Sequence, residues 1–183
     1  EYRRQRQMCI RDRHQPYHFA SNMNSLARQA TAELVLLVND DVILDPGSLD
    51  EAIATLDAHP EASLVGGLLR STAGHLGHAG LLFGAEAQPY NRCRPELTPW
   101  IQLHDAEVLS SGPIPAVTGA LMLLRRDDLL AVPLRESFRE CGEDVALCLD
   151  LRQRLGRFPY YASCVTAIHD EKSTRANTAD AED

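Results

Sequence analysis

Five aliphatic residues in an unbroken row, Leu34-Val35-Leu36-Leu37-Val38, run straight into Asn39-Asp40-Asp41. A row of that length without alternation predicts a strand buried on both faces, which requires helices on both sides of its sheet. Such a strand delivers the carboxylates at its C-terminal end, where open α/β sheets bind their ligands. A second acidic pair, Glu143-Asp144, opens a segment of helical spacing, and His169 follows the last apolar run. The combination predicts a site that handles a metal-bound nucleotide.

The neighbouring segments fit an α/β order. Asn22 or Ser21 is placed to cap a helix carrying Met23, Leu26, Ala27 and Ala30 on one face, which feeds the strand 34–38. Asp45-Pro46 offers a cap and a first-turn proline to a second helix with Leu49, Ala52, Ile53 and Leu56 at helical spacing, stopped by His59-Pro60. Ser63 to Leu69 reads as a strand, and the glycines of 66–84 as a strand and hairpin where backbone runs close to something else. Residues 85–113, rich in proline, read as one long loop that could cover a site. Ala116 to Leu124 regains strand character, Arg126 to Ala131 a short helix, and Glu143 to Leu155 a longer one closed by Gly156. Tyr160 to Ile168 forms the last strand and delivers His169.

Composition bounds the partners. At 183 residues, 44% of them hydrophobic, the chain is long enough for one domain with a real core, and no apolar run is long enough to span a bilayer. Residues 1–15 carry five arginines against Glu1 and Asp12, so the body behind them is more acidic than the whole-chain charge of -8. Such a body is a poor binder of nucleic acid, and a polyphosphate ligand needs a divalent cation as bridge. Five cysteines without CxxC or Cys/His spacing argue against a disulfide framework and a zinc site, and for reduced thiols in a cytoplasmic setting. Residues 1–16 lack periodicity and an apolar core for a signal peptide, and are expected to be a disordered or non-native arm; its basic charge admits peripheral contact with an anionic membrane. The domain is expected over 17–172, with a frayed polar tail at 173–183.

FASNMNSLARQATAELVLLVNDDVILDPGSL, GHLGHAGLLFG, PAVTGALMLLRRDDL and ECGEDVALCLDLRQRLGRFPYYASCVTAIHDEKS, in this order and spacing, resemble family two of the glycosyltransferases. The resemblance covers roughly Phe19 to Ser173 and implies the GT-A fold: α/β, a Rossmann-like three-layer sandwich with a mostly parallel central sheet. Enzymes of this kind usually open with a strand and helix that carry the nucleotide base pocket, and nothing before Tyr17 supplies them. The chain is therefore expected to be N-terminally truncated, weak toward nucleotide sugars and prone to self-association through the uncovered edge beside 34–38.

The resemblance also implies roles. Asn39-Asp40-Asp41 falls at the DxD position, with Asp41 a ligand of Mg²⁺ or Mn²⁺ that also holds the donor diphosphate, and Asn39 and Asp40 beside the nucleotide sugar. Asp144 falls where an inverting enzyme keeps the base that takes the acceptor proton, and Glu143 where the acceptor or the loop is oriented. His169 is placed to complete the metal set, while Lys172, the only lysine, and Arg175 just beyond it could touch the diphosphate or belong to a solvated tail. Gly119-Ala120 lies in the block that resembles the floor of the sugar site. Trp100 could stack on a sugar ring or plug the loop. His75 and His78, three residues apart among glycines, are assigned no metal. The acidic motifs also suit a turn after a strand and a helix N-terminus. A non-catalytic sugar-nucleotide or glycan binding module and an inactive fragment therefore stay open beside a transferase acting on a saccharide or lipid-linked acceptor.

Overall fold

A computed structural model of the chain describes residues 18–93, 103–138 and 141–170. The arm 1–16, Tyr17, Trp100, Lys172, Arg175 and the tail 173–183 lie outside the described residues. In chain order the elements are α1 (Phe19–Gln29), β1 (Leu34–Val38), β2 (Val42–Leu44), α2 (Ser48–Ala58), β3 (Ala62–Arg70), β4 (Leu76–His78), β5 (Leu81–Phe83), β6 (Pro89–Asn91), α3 (Ala106–Leu109), β7 (Gly112–Pro113), β8 (Leu121–Arg125), α4 (Arg126–Ala131), α5 (Glu143–Leu155) and β9 (Phe158–His169). The main sheet runs β1-β8-β3-β9-β2, with β4 on β3 and β7 on β9; β5 and β6 form a separate hairpin.

Helices cover both faces of the sheet, but the row at 34–38 is not the fully buried strand expected: β1 lies at the sheet edge, only Leu37 is buried, and Val38 is exposed. Alternation along β8 divides the core: Met122 and Leu124 join Leu64, Leu147, Leu151 and Tyr161 on the side of α1, α4 and α5, while Leu121 and Leu123 join Val65, Val165, Ala52 and Leu56 on the side of α2. The expected three layers are present. The sheet, however, is mixed where a mostly parallel one was expected: β3–β9 is parallel, and the ladders of β1 with β8, β8 with β3, β4 with β3, β2 with β9 and β7 with β9 are antiparallel. Parallel pairing needs a crossover of about a dozen residues or more. Residues 71–75 between β3 and β4 are too few for one, and β2, β4 and β7, at three residues or fewer, have no alternation to announce them.

Several boundaries moved for local reasons. α1 is capped by His18, whose Nδ1 accepts the Ser21 amide, so it starts before Ser21 and Asn22. Asn24 on this helix is buried and bonds both the amide and the carbonyl of Leu134, which ties α1 to the segment before α5. Asp45 does not cap α2; Gly47 does, with φ +85, and Asp45 takes a different role at the site. The strand expected over 116–124 begins at Leu121, because 118–120 turn into it. Within 85–113 the described part holds β6, α3 and β7. At Gly67, where β3 meets a register shift in β9, a Cβ would fall 2.3 Å from the Val165 carbonyl oxygen, so the close approach requires glycine.

Candidate functional site

β1 ends at Val38, and Asn39 to Asp41 turn the chain into β2. The turn is closed by the Val42 amide on the Asn39 carbonyl, and the Asn39 amide donates to the Ala120 carbonyl at 3.1 Å. Because β2 pairs antiparallel with β9 in a register that sets Val42 opposite His169, Asp41 is brought to the end of β9. Asp41 Oδ1 lies 3.3 Å from His169 Nε2, with the imidazole 11% exposed and the carboxylate 26%. A carboxylate and an imidazole 128 positions apart in sequence thus face one small space. Asp40 is exposed beside them and Asn39 half-buried.

The β2–β9 arm is braced from below. Asp45 accepts two hydrogen bonds from the Arg70 guanidinium at 2.7 and 2.9 Å and one from the Thr166 hydroxyl, and the Ser48 hydroxyl donates to the Thr166 carbonyl at 2.8 Å. The Arg70 hydrogen bonds, followed by that of Thr166, hold the Asp45 carboxyl below the usual carboxylate range. Asp170, next to His169, accepts from the amide and hydroxyl of Thr72. Sequence reasoning missed this brace because it read Asp45 as a helix cap; the lone arginine closing β3 was the available signal.

Across the turn 118–120 stands the second acidic pair. α5 starts after Gly142, at φ +101, without a side-chain cap. Asp144 in its first turn accepts the Val145 amide on Oδ1 at 2.7 Å and the Gly119 amide on Oδ2 at 2.8 Å. One oxygen serves the helix end; the other reaches back 25 residues to the turn that also holds Asn39. A Cβ at Gly119 would sit 3.1 Å from Asp144 Cβ, so the close fit depends on the absent side chain. Glu143 Oε2 is buried with no hydrogen-bond partner, a polar atom left for a ligand or water to satisfy. Below them Cys148 is sealed in the core, where burial pushes its thiol up to about 12 and keeps it inert.

The structure therefore gathers the expected residues in two pairs, Asp41 with His169 and Gly119 with Asp144, linked through Asn39 and Ala120. His75 is exposed, whereas His78 is buried and bonds Asn91 and the Thr118 amide; it was assigned no role from sequence. Among the described residues no group of three or more His, Cys, Asp or Glu could hold a metal by itself. No helix of the described residues is long and apolar enough to cross a membrane.

A three-layer α/β domain with an acidic turn at the end of its first strand and a second acid at a helix start is the GT-A architecture, and solved structures share it. GalNAc-T7 with UDP, GalNAc and Mn²⁺ superposes with a TM-score of 0.62 at 10% identity, over 82% of this chain and 29% of that one. The mannosyltransferase PcManGT from Pyrobaculum calidifontis, in complex with GDP-Man and Mn²⁺, does so with a TM-score of 0.53 at 16% identity, over 90% of this chain and 39% of that one. The chain belongs to glycosyltransferase like family 2, whose profile matches residues 2–180. The O-antigen biosynthesis protein RfbC of Myxococcus xanthus is 31% identical over 169 residues, which are 88% of this chain and 13% of RfbC. The chain thus spans about an eighth of the length of that relative.

Proposed function

We propose that this domain transfers a sugar from a nucleoside-diphosphate sugar to a saccharide or lipid-linked acceptor, with inversion at the anomeric carbon. The observation that carries the reading is the Gly119–Asp144 hydrogen bond standing across one turn from the Asp41–His169 pair, in a glycosyltransferase family 2 domain. Asp144 takes the proton of the acceptor hydroxyl as that oxygen attacks, while the bond from the anomeric carbon to the diphosphate oxygen breaks. The Gly119 amide holds Oδ2 and so fixes the rotamer, which leaves Oδ1, bonded only by the Val145 amide, as the oxygen that receives the proton. Glu143, with its unsatisfied Oε2, orients the acceptor.

Asp41 and His169 would hold a divalent cation. Carboxylate plus imidazole suits Mn²⁺ and admits Mg²⁺, and two protein donors leave places for diphosphate oxygens and water. When bound, the cation supplies positive charge to the departing diphosphate. The complexes of GalNAc-T7 and PcManGT, each with Mn²⁺ and a nucleotide or nucleotide sugar, support this choice. Asn39 and Asp40 line the donor side, and the absent side chain at Gly119 lets Asp144 pack close against the floor of the sugar site. The relation to RfbC, an O-antigen biosynthesis protein, supports polysaccharide assembly as the setting.

The test is release of nucleoside diphosphate from a panel of UDP-, GDP- and dTDP-sugars with Mn²⁺, by the transfer-competent protein carrying this domain. Asp144→Asn should lower turnover by about 10²-fold or more and leave donor affinity within about threefold. Turnover near that of the parent would make Asp144 a helix-end residue and defeat the assignment.

A further inference from the structure

His78 closes β4 at the inner wall of the site and is 3% exposed. Its ring bridges two segments: Nδ1 lies 2.8 Å from Asn91 Oδ1 on β6, and Nε2 accepts the Thr118 amide at 3.3 Å. An amide N–H can only donate, so Nε2 carries the lone pair and Nδ1 the proton, which it gives to Asn91. A single neutral tautomer satisfies both partners. Burial favours that neutral form and pushes the ring pKa down to about 4.

Thr118 begins the turn on which the site hangs. Its amide goes to His78, the next amide, of Gly119, goes to Asp144 Oδ2, and the carbonyl of Ala120 accepts from Asn39. Three successive residues are thus each bonded to a different segment. His78 supplies the bond from the side of the β5–β6 hairpin. We propose that His78 is a positioning residue, whose neutral ring holds the 118–120 turn so that the Gly119 amide fixes the Asp144 carboxylate for proton transfer. The inference rests on the reading of Asp144 as the base.

The test joins spectroscopy to kinetics. In the ¹⁵N-labelled chain at neutral pH, the His78 ring should show a protonated Nδ1 and a bare Nε2; the opposite tautomer would overturn the proposal. His78→Phe fills the space and makes neither bond. It should move the Gly119 amide resonance, speed its hydrogen exchange by about 10-fold or more, and lower kcat by about 10–100-fold, with the donor KM within about threefold. His78→Gln keeps an acceptor for Thr118 and a donor for Asn91, and should restore kcat to within about fivefold of the parent. A folded His78→Phe variant with the parent's Gly119 resonance and kcat refutes the role. If that variant does not fold, the tautomer and the His78→Gln kinetics decide. Failure of the Asp144 reading looks different: Asp144→Asn would then be kinetically silent while His78→Phe still moved the Gly119 amide.

Discussion

Gly119→Ala offers a graded displacement of the proposed base. The new Cβ would stand 3.1 Å from Asp144 Cβ and 3.5 Å from Oδ2. Carbon atoms pack best at about 3.5–4.0 Å, so the first turn of α5 and the 118–120 turn must part by roughly 0.5 Å. The Gly119–Asp144 hydrogen bond, at 2.8 Å, would then stretch to about 3.3 Å, past the usual range. A misplacement of about 1 Å lowers turnover by about 10²-fold, and half that distance gives an expected loss of about 10-fold. Stability should change little. The strain of one added methyl is on the order of 1 kcal/mol, and the reduced freedom of the unfolded chain offsets about 0.4–1 kcal/mol of it. Thermal melting and nucleoside diphosphate release should therefore separate, with Tm within about 4 °C of the parent and kcat clearly lower. Parent-like kcat in the folded variant would show that the Gly119 contact does not govern Asp144.

Other perturbations read other parts of the molecule. Asp41→Ala and His169→Ala should each weaken Mn²⁺ binding in the presence of a nucleoside diphosphate by roughly 10-fold or more, measured by electron paramagnetic resonance of the free ion; unchanged binding in both would remove the pair from the metal site. Gly67→Ala, which sets a Cβ 2.3 Å from the Val165 carbonyl oxygen, should lower stability by about 3 kcal/mol and Tm by about 6–12 °C, and a parent-like melt would contradict the packing of β3 on β9. Asp45 and Asp150 are held below the usual carboxylate range, chiefly by hydrogen bonds from Arg70 and Arg135, so their contribution to stability is complete above about pH 4 and disappears as pH falls through the lowered values. The gap in urea midpoint between the parent and Asp150→Asn should accordingly be wide at pH 7 and narrow at pH 3; an equal gap at both would show that the Arg135 pair does not act this way.

What could be read in the sequence was whatever a single segment announces. Residues 34–38 announce a strand, though its place at the sheet edge leaves only Leu37 buried, and α5 announces itself by spacing and by Gly156 at its end, where φ is +67. The acidic residues of the site could be placed because each stands at the end of such an element. The short strands β2, β4 and β7 could not, since three residues carry no period and their pairing is fixed by partners more than a hundred positions away for β2. The parallel character of the sheet was overestimated for that reason. Asp45 was misread as a cap because a carboxylate before a proline suits a helix start, whereas the guanidinium it bonds lies 25 positions later. His78 shows the same limit: a histidine between glycines in a hairpin gives no sign that the Thr118 amide will come to its ring.

The two pairs of the site are held by different kinds of structure, and this bears on how they would work together. Asp41 and His169 meet through the register of β2 on β9, a ladder braced by Asp45, Arg70 and Thr166, so their separation is set by the sheet. Asp144 is held by an amide in a turn, and that turn is itself held by the His78 ring and the Asn39 backbone amide rather than by a ladder. β9, between β3 and β2 in the sheet, opens only with the core, while turns with few hydrogen bonds open at lower free energy. In the proposed reaction the donor side would thus be the more rigid, and the acceptor side, with Glu143 and Asp144 at an uncapped helix start, the part able to adjust. That division suits a transferase in which the diphosphate must be met by fixed charge as its bond breaks, and the base must accommodate an incoming hydroxyl before it can take the proton.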